Sequence, residues 1–366
     1  MKKRFSILIV STVIIGLTLS LFGMALVSQT ASAERAQNSY RQAPKPIPAA
    51  NVKVVKKIPF SLDMEETKGK PDGLPGKDKD SDSSNGAATG ILGTKVTGNK
   101  YAIVIGICDY PGTEYDIGDC ISDGDSLHMY KSLTELYGYK AENIRLFKDM
   151  GGTTGPILNK VSYTAPTRDR ILTAIQEIKE LATNSDDEVV FFFSGHGTNG
   201  VAEDGDSEYI DEGIVVHDSD DGNIDGNSQL DFIWDGELRN WFADFDTIRI
   251  VFIFDTCLAG GMNDLASEGR VISMSTGETQ SAYVYSTAGE DVDEDGTKDG
   301  EGVFSRLFVN KGMLQGLADG YNQLKITDEK VVVEEAFDYA KKNIPGSLKR
   351  KQKPVISDNF DDDLLL

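Results

Sequence analysis

The sequence predicts an α/β domain with a mostly parallel central sheet and helices on both of its faces. Two observations lead to this prediction. Between about residues 98 and 350, short uninterrupted apolar runs such as "YAIVIGI" and "IRIVFIF" alternate with amphipathic segments. Uninterrupted apolar runs are typical of strands covered on both faces, and strands that alternate with helices usually form parallel sheets.

The apolar runs and amphipathic segments give the predicted elements in order. Strands are predicted at residues 101–107, 143–147, 188–194, 248–254 and 281–287. Helices are predicted at residues 125–139, 167–182, 235–245, 303–314 and 330–344. In the first helix the apolar residues share one face and Gly138 is a plausible stop. The second helix is amphipathic, and the second and third helices each start with a residue type that favours the N-cap position: Thr167 and Asp235.

The charge balance excludes some partners. The chain has 366 residues and a formal net charge of −22, from 37 Lys and Arg against 59 Asp and Glu. Such an acidic surface repels phosphate, so nucleic acid is not expected as a partner. The same surface suits cationic substrates and divalent cations.

The N-terminus predicts export. Residues 1–33 resemble a signal peptide, with a basic start at Lys2, an apolar stretch over 5–27 and "ASA" before Glu34. The alternative is a retained membrane anchor, because the apolar stretch is long enough to span a bilayer. In either case the rest of the chain faces the outside, and the expected location is secreted or extracellular.

The remaining regions differ in composition. Residues 34–97 are rich in Pro, Gly, Lys, Asp and Ser and predict a linker or pro-segment with little fixed structure. Residues 98–350 form the predicted domain, and residues 351–366 are predicted to be a charged C-terminal tail. The three cysteines are too few for a disulfide scaffold, so at least one free thiol is expected.

Two of the apolar runs end in residues that can carry chemistry. "FFFSGHG" leads to His196 and "FIFDTC" leads to Cys257. Ligands bind outside the carboxyl ends of strands in open α/β sheets, so neighbouring strands would bring the imidazole and the thiol together. The backbone N–H groups of Gly197 and Cys257 are then candidates for holding an oxyanion. A lone cysteine is usually a small buried hydrophobe, but the pairing with a similarly placed histidine favours catalysis.

These motifs resemble those of the caspase-like clan of cysteine peptidases, and of the metacaspases in particular. The likeness covers about residues 98–310 and includes "YAIVIGICDYPG", "SGHG" and "DTCLAGG". It implies a caspase-like α/β/α sandwich and a cysteine endopeptidase with His196 as base and Cys257 as nucleophile. It also implies polypeptide substrates cleaved after Arg or Lys.

The resemblance further implies an acidic pocket for that basic side chain. The matching residues are Cys120, Asp123, Ser194 and Asp255. Carboxylates at the base of a pocket bind guanidinium or ammonium through charge-assisted hydrogen bonds. For Asp123 alone, the default interpretation is a helix cap. Basic specificity gives the Lys-rich linker a role as a site of self-cleavage.

Calcium is the cofactor that the resemblance implies. Asp235 and Asp264 stand where such ligands are expected, and Asp211 is a looser match. Separately, "DVDEDGTKDGE" resembles the first half of an EF-hand loop, but Gly302 stands where the loop needs an acid. Its candidate ligands are Asp291, Asp293 and Asp295. The alternative for these loops is a solvated acidic surface.

Two other functions stay open at this point. One is a catalytically silent caspase-like domain that binds calcium or a partner through its acidic loops. The other is a different peptidase of the same clan, similar to clostripain. A monomer is expected.

Overall fold

The computed structural model describes residues 53–56, 60–61, 86–110, 115–117, 121–148, 152–153, 162–200, 202, 210–218, 230–286 and 300–366. All of them lie in one structural unit, Ile47–Leu366. The predicted signal segment at 1–33, Cys120, and the acidic residues Asp291, Asp293 and Asp295 lie outside the described residues. Within the described part, no helix is long and apolar enough to cross a membrane.

Strands and helices alternate over much of the domain. The strands are β1 (Lys53–Lys56), β2 (Phe60–Ser61), β3 (Lys100–Gly106), β4 (Ile144–Phe147), β5 (Gly152–Thr153), β6 (Ser162–Tyr163), β7 (Glu188–Ser194), β8 (Gly197–Gly200), β9 (Asp211–His217), β10 (Leu230–Trp234), β11 (Ile250–Asp255), β12 (Arg270–Met274), β13 (Tyr283–Ser286), β14 (Glu301–Gly302) and β15 (Val355–Asp358). The helices are α1 (Ile121–Glu135), α2 (Arg168–Leu181), α3 (Asp235–Trp241), α4 (Val303–Ser305, continued as a π-helix over Arg306–Leu314) and α5 (Val333–Asn343). Short 3₁₀ helices cover Ala141–Asn143 and Ala259–Leu265.

The central sheet has six strands in the order β15-β12-β11-β7-β3-β4. All neighbours are parallel except β15, which runs antiparallel to β12 at one edge. The predicted mostly parallel sheet is therefore confirmed. The predicted strand at 281–287 is found as β13, but it lies in a separate three-stranded sheet, β1-β13-β14. The hairpin of β9 and β10 and the strand β12 were not predicted.

Both faces of the central sheet are buried, which explains the uninterrupted apolar runs. In β7, Val190 and Phe192 pack in a cluster with residues of α1, α4 and α5. Their neighbours Phe191 and Phe193 pack in a second cluster with residues of α2 and α3. Successive side chains of a strand point to opposite faces, so a strand between two helical layers must be apolar at every position.

Part of the predicted linker is folded. β1 pairs with β13 and β2 pairs with β8. Ala88 is fully buried, and the N–H groups of Ala87 and Ala88 donate to the Asp338 carboxylate in α5. The prediction of little fixed structure over 34–97 is wrong for these stretches, because long-range pairing supplies backbone partners that composition alone does not reveal.

The prediction that residues 351–366 form a charged tail outside the domain is also wrong. Residues 351–366 include the edge strand β15, and Leu364 and Leu366 are buried in the core cluster that contains α1 and α5. The acidic run "DDD" is followed by three leucines, and burial of Leu364 and Leu366 holds this end of the chain in the core. The C-terminal end is thus part of the domain.

Replacing Leu364 with alanine is expected to lower the free energy of unfolding by about 2–4 kcal/mol, because it leaves a cavity at a fully buried site. Denaturant titration measures this change. The matched control is Leu324→Ala at an exposed position, with an expected change below about 0.5 kcal/mol. A Leu364→Ala protein as stable as the control would contradict the burial of the C-terminal end.

A buried carboxylate in α5 gives a pH-dependent prediction. Glu334 is fully buried, and loss of water, followed by the nearby Asp358 charge, raises its pKa well above the usual value. The folded state therefore holds this proton more tightly than the unfolded state. The resulting stability is present at acidic pH and is lost as the pH rises through the raised pKa.

Glu334→Gln is expected to stabilise the protein by about 1–3 kcal/mol at about pH 8, with a smaller gain at about pH 5. Glutamine removes the buried charge and can still accept the hydrogen bond that the Leu364 N–H donates to Glu334 Oε2. Unfolding at both pH values, beside the exposed control Glu278→Gln, tests this. A gain that is equal at both pH values would show that titration of Glu334 is not its cause.

Candidate active site

The register of two central strands brings the histidine and cysteine motifs together. β7 and β11 are parallel neighbours, and Ser194 pairs with Asp255 at their carboxyl ends. His196 and Cys257 each follow two residues later. The structure therefore places both motifs at the same edge of the sheet, on adjacent strands.

The turn that carries His196 lies against the turn that carries Cys257, and this close contact explains why residue 197 is a glycine. A Cβ atom added to Gly197 would lie 2.1 Å from the carbonyl oxygen of Cys257 and 2.7 Å from Thr256 Oγ1. Any side chain at this position would push the histidine and cysteine turns apart. Leu258, directly after the cysteine, has a left-handed backbone with φ of 60°, which sharpens the turn. The oxyanion role of the Gly197 and Cys257 N–H groups stays a prediction.

The surroundings of His196 fix which ring nitrogen is basic. The side chain is 6% exposed, and Nε2 lies 2.7 Å from the carbonyl oxygen of Tyr115. A carbonyl can only accept a hydrogen bond, so Nε2 carries the proton in this contact. The lone pair of the neutral imidazole is then on Nδ1, which is the nitrogen left to accept a proton.

Cys257 carries a reduced thiol and is 1% exposed. Its Sγ accepts a hydrogen bond from the N–H of Ala282 at 3.3 Å. A donor to sulfur favours the thiolate, which is the nucleophilic form. Cys108, in contrast, is disulfide-bonded. The thiol that the sequence expects outside a disulfide is therefore present at the end of β11.

A second carboxylate joins Asp255 beside the cysteine. Asp255 Oδ2 accepts from the Ser305 N–H at 2.9 Å, and Asp125 accepts from the Ser194 hydroxyl at 2.7 Å. The N–H of Gly302 donates to both Asp125 oxygens. A Cβ added to Gly302 would lie within 3 Å of both carboxylates, so the two acids converge on one point. Sequence reasoning missed Asp125.

The second carboxylate that the sequence assigned to this pocket, Asp123, has an ion-pair partner. Asp123 pairs with the buried Lys148, with Oδ2 and Nζ 3.0 Å apart. Both acids belong to α1, and residues two apart on a helix point about 200° away from each other, so only one can face Ser194. The helical row of Asp125 continues to the fully buried Met129 and Leu133.

The predicted calcium ligands are not brought together as a group. Asp211 and Asp235 are buried, and their carboxylates accept from the N–H groups of Ala202 and Gly236. Asp264 pairs with Arg239 at 3.1 Å. No three His, Cys, Asp or Glu side chains form a metal-holding group in the described part of the chain. Calcium binding by these three residues stays a prediction.

Comparison with known proteins points to one family. A model of the metacaspase peptidase C14 domain matches residues 100–266. Metacaspase-4 of Arabidopsis thaliana is 34% identical over 172 residues, which are 46% of this chain and 35% of the relative. Metacaspase-1 of Kluyveromyces lactis is 30% identical over 184 residues, or 47% of this chain and 36% of the relative. Metacaspase-1B of Aspergillus fumigatus is 29% identical over 232 residues, or 61% and 47%. The chain thus spans less than half the length of these relatives.

Proposed function

We propose that residues 100–266 of this chain, which match a model of the metacaspase peptidase C14 domain, form such a domain, and that the chain is a cysteine endopeptidase that cleaves after Arg or Lys. The observation that carries the proposal is the register of β7 and β11, which puts His196 and Cys257 side by side after the paired residues Ser194 and Asp255. The family match favours this function over a clostripain-like enzyme.

The proposed reaction is acyl transfer through a thioester. His196 Nδ1 takes the proton of the Cys257 thiol, and the thiolate attacks the carbonyl carbon of the scissile bond. The oxyanion is held by backbone N–H groups, for which Gly197 and Cys257 are the candidates. His196 then gives its proton to the leaving amine. Water, activated by the same imidazole, hydrolyses the acyl-enzyme and releases the new carboxyl terminus.

The specificity for basic residues is proposed from the converging acids. Asp125 and Asp255 are two buried carboxylates directly beside the nucleophile turn, and Ser194 bonds to the first of them. A guanidinium or ammonium group would form charge-assisted hydrogen bonds with both. Asp123 is left out of this pocket because Lys148 already neutralises it.

Self-processing is supported by the position of the segment before the domain. β1 lies antiparallel to β13 and pairs Lys56 with Tyr283, next to Ala282, whose N–H contacts the catalytic sulfur. β2 lies parallel to β8 and pairs Phe60 with Thr198, two residues after the histidine. Extended peptides that add to an exposed strand edge are a common form of substrate binding. We propose that this segment occupies the substrate's place and is cut after Lys56 or Lys57.

The proposed cut is tested by mass spectrometry of the purified chain after incubation. A new N-terminus at Lys57 or Ile58 is expected in the wild type and not in Cys257→Ala. The double variant Lys56→Ala, Lys57→Ala should slow this cut, whereas the control Lys53→Ala should not. Unchanged cleavage between residues 56 and 60 in the double variant would reject the assignment.

Calcium stimulation and export are proposed from the sequence. The acidic composition and the buried Asp211 and Asp235 support calcium binding, and Asp264 would have to leave Arg239 to take part. Titration calorimetry with calcium, on the wild type and on Asp211→Asn, tests the proposed calcium binding.

The proposed export is tested by N-terminal mass analysis of the protein recovered from culture medium, with Glu34 as the expected first residue.

The function itself is tested with fluorogenic peptides that end in Arg, Lys or Asp. Cleavage after Arg or Lys by the wild type, and its absence in Cys257→Ala, is the expected result. Cleavage after Asp would retain the dyad and reject the acidic pocket. No cleavage of any peptide, even after removal of residues 34–61, would favour the catalytically silent alternative.

A further inference from the structure

Tyr110, in the segment that follows β3, makes three contacts with the histidine motif. Its hydroxyl accepts a hydrogen bond from the His196 N–H at 2.8 Å. The Tyr110 ring centroid lies 4.8 Å from that of His196, with the rings tilted by 40°. The hydroxyl also lies 2.6 Å from the point where a Cβ on Gly195 would be. From these contacts we propose that Tyr110 is a positioning residue that holds His196 in its catalytic orientation.

The hydroxyl of Tyr110 links the turn that carries His196 to strand β9. It accepts from the His196 N–H and donates to the carbonyl of Val215 in β9 at 3.3 Å. The N–H of Val215 in turn donates to the His196 carbonyl at 3.0 Å. The backbone of the catalytic histidine is therefore held by hydrogen bonds from both sides. Only a side chain with both a donor and an acceptor at its tip can do this.

The ring of Tyr110 is itself fixed in place. It contacts the rings of both His196 and His217, and the His217 ring is stacked on it at 6.0 Å with an angle of 9° between the planes. The Tyr110 N–H donates to Asp116 Oδ1 at 3.0 Å, which links the Tyr110 backbone to the residue after Tyr115. The carbonyl of Tyr115 holds His196 Nε2. The carbonyl of Tyr115 thus holds the imidazole of His196, and the hydroxyl of Tyr110 holds the His196 backbone.

This arrangement has a consequence for catalysis. The dyad works only if Nδ1 of His196 points at the thiol, and an error of about 1 Å in such a geometry can cost on the order of 100-fold in rate. Loss of the Tyr110 hydroxyl removes the hydrogen bond to the histidine backbone while the stacked ring remains. The effect should therefore appear in the chemical step rather than in substrate binding. This inference rests on the proposed peptidase function.

The test compares Tyr110→Phe with Tyr101→Phe. Tyr101 is also buried, and its hydroxyl donates to the Leu181 carbonyl, in α2. Tyr110→Phe loses the hydroxyl hydrogen bonds to His196 and Val215, and Tyr101→Phe loses the one to Leu181. For Tyr110→Phe, kcat on an Arg peptide is expected to fall by about 10- to 100-fold with KM changed by less than about 3-fold. For Tyr101→Phe, both constants are expected to stay within about 2-fold of the wild type.

A second readout does not need turnover. The rate at which iodoacetamide alkylates Cys257 reports the thiolate, and it is expected to fall by about 10-fold in Tyr110→Phe only. If the wild type cleaves no peptide, the proposed function fails, but the alkylation rates still test the role of Tyr110. Equal alkylation rates in wild type and Tyr110→Phe, or equal losses in the two tyrosine variants, would overturn the inference.

Discussion

Replacing Cys257 with alanine is expected to lower kcat/KM on basic peptides by at least about 10⁴-fold, because no other group can form the acyl-enzyme. The thiol is the one reduced cysteine in the described part of the chain, and it lies at the end of β11 beside the histidine motif. Steady-state hydrolysis of an Arg peptide measures the loss. His196→Ala is expected to lower kcat/KM to nearly the same residual value, since the two residues act as a unit.

Folding must be separated from chemistry in this comparison. Cys257 is buried, but serine fills almost the same volume as cysteine, so Cys257→Ser should keep the thermal midpoint and lose the activity. Residual activity of Cys257→Ser or Cys257→Ala above about 1% of the wild type would show that another nucleophile does the work.

The second large effect is expected at Asp125. Asp125→Asn is expected to lower kcat/KM for Arg and Lys peptides by about 100- to 1,000-fold, because it removes one of two charges that face the substrate's cation. A peptide that ends in citrulline, which has the shape of arginine without the charge, should lose much less. The ratio of the two rates does not depend on how much of the variant is active.

Asp123→Asn is the matched control for Asp125. The two acids lie in the same helix, but Asp123 faces Lys148 rather than Ser194. Its replacement is expected to lower stability, since it leaves Lys148 buried without this partner charge, and to change the arginine-to-citrulline ratio by less than about 3-fold. The opposite pattern, with selectivity lost in Asp123→Asn and kept in Asp125→Asn, would restore the assignment made from the sequence.

The parts of the fold that the sequence predicts well are those with a local signal. β7 and β11 are uninterrupted apolar runs because both faces of the sheet are covered, and the same runs locate His196 and Cys257 at their ends. The stripe of α2 is similarly readable, since its apolar residues face one side only. In these elements the local pattern and the tertiary packing agree.

The predictions made from the sequence fail where long-range tertiary contacts determine the structure. Asp123 and Asp125 are both plausible from composition, and only the start and rotation of α1 determine which one faces Ser194. Residues 351–366 look like a tail until β15 pairs with β12 and Leu364 enters the core. The pairing of β1 with β13 joins positions far apart in the chain, and no local pattern encodes it.

The most direct test of the catalytic pair is covalent labelling with a peptide that ends in an arginine chloromethyl ketone, read by mass spectrometry of the intact chain and its fragments. Alkylation of a thiolate by such a ketone forms a stable thioether with loss of chloride. We expect one adduct per chain, on Cys257, with labelling that is lost in Cys257→Ala and strongly slowed in His196→Ala and Asp125→Asn. Labelling that is absent from the wild type, or that is found at another residue, would contradict the assignment of Cys257 and His196 as nucleophile and base.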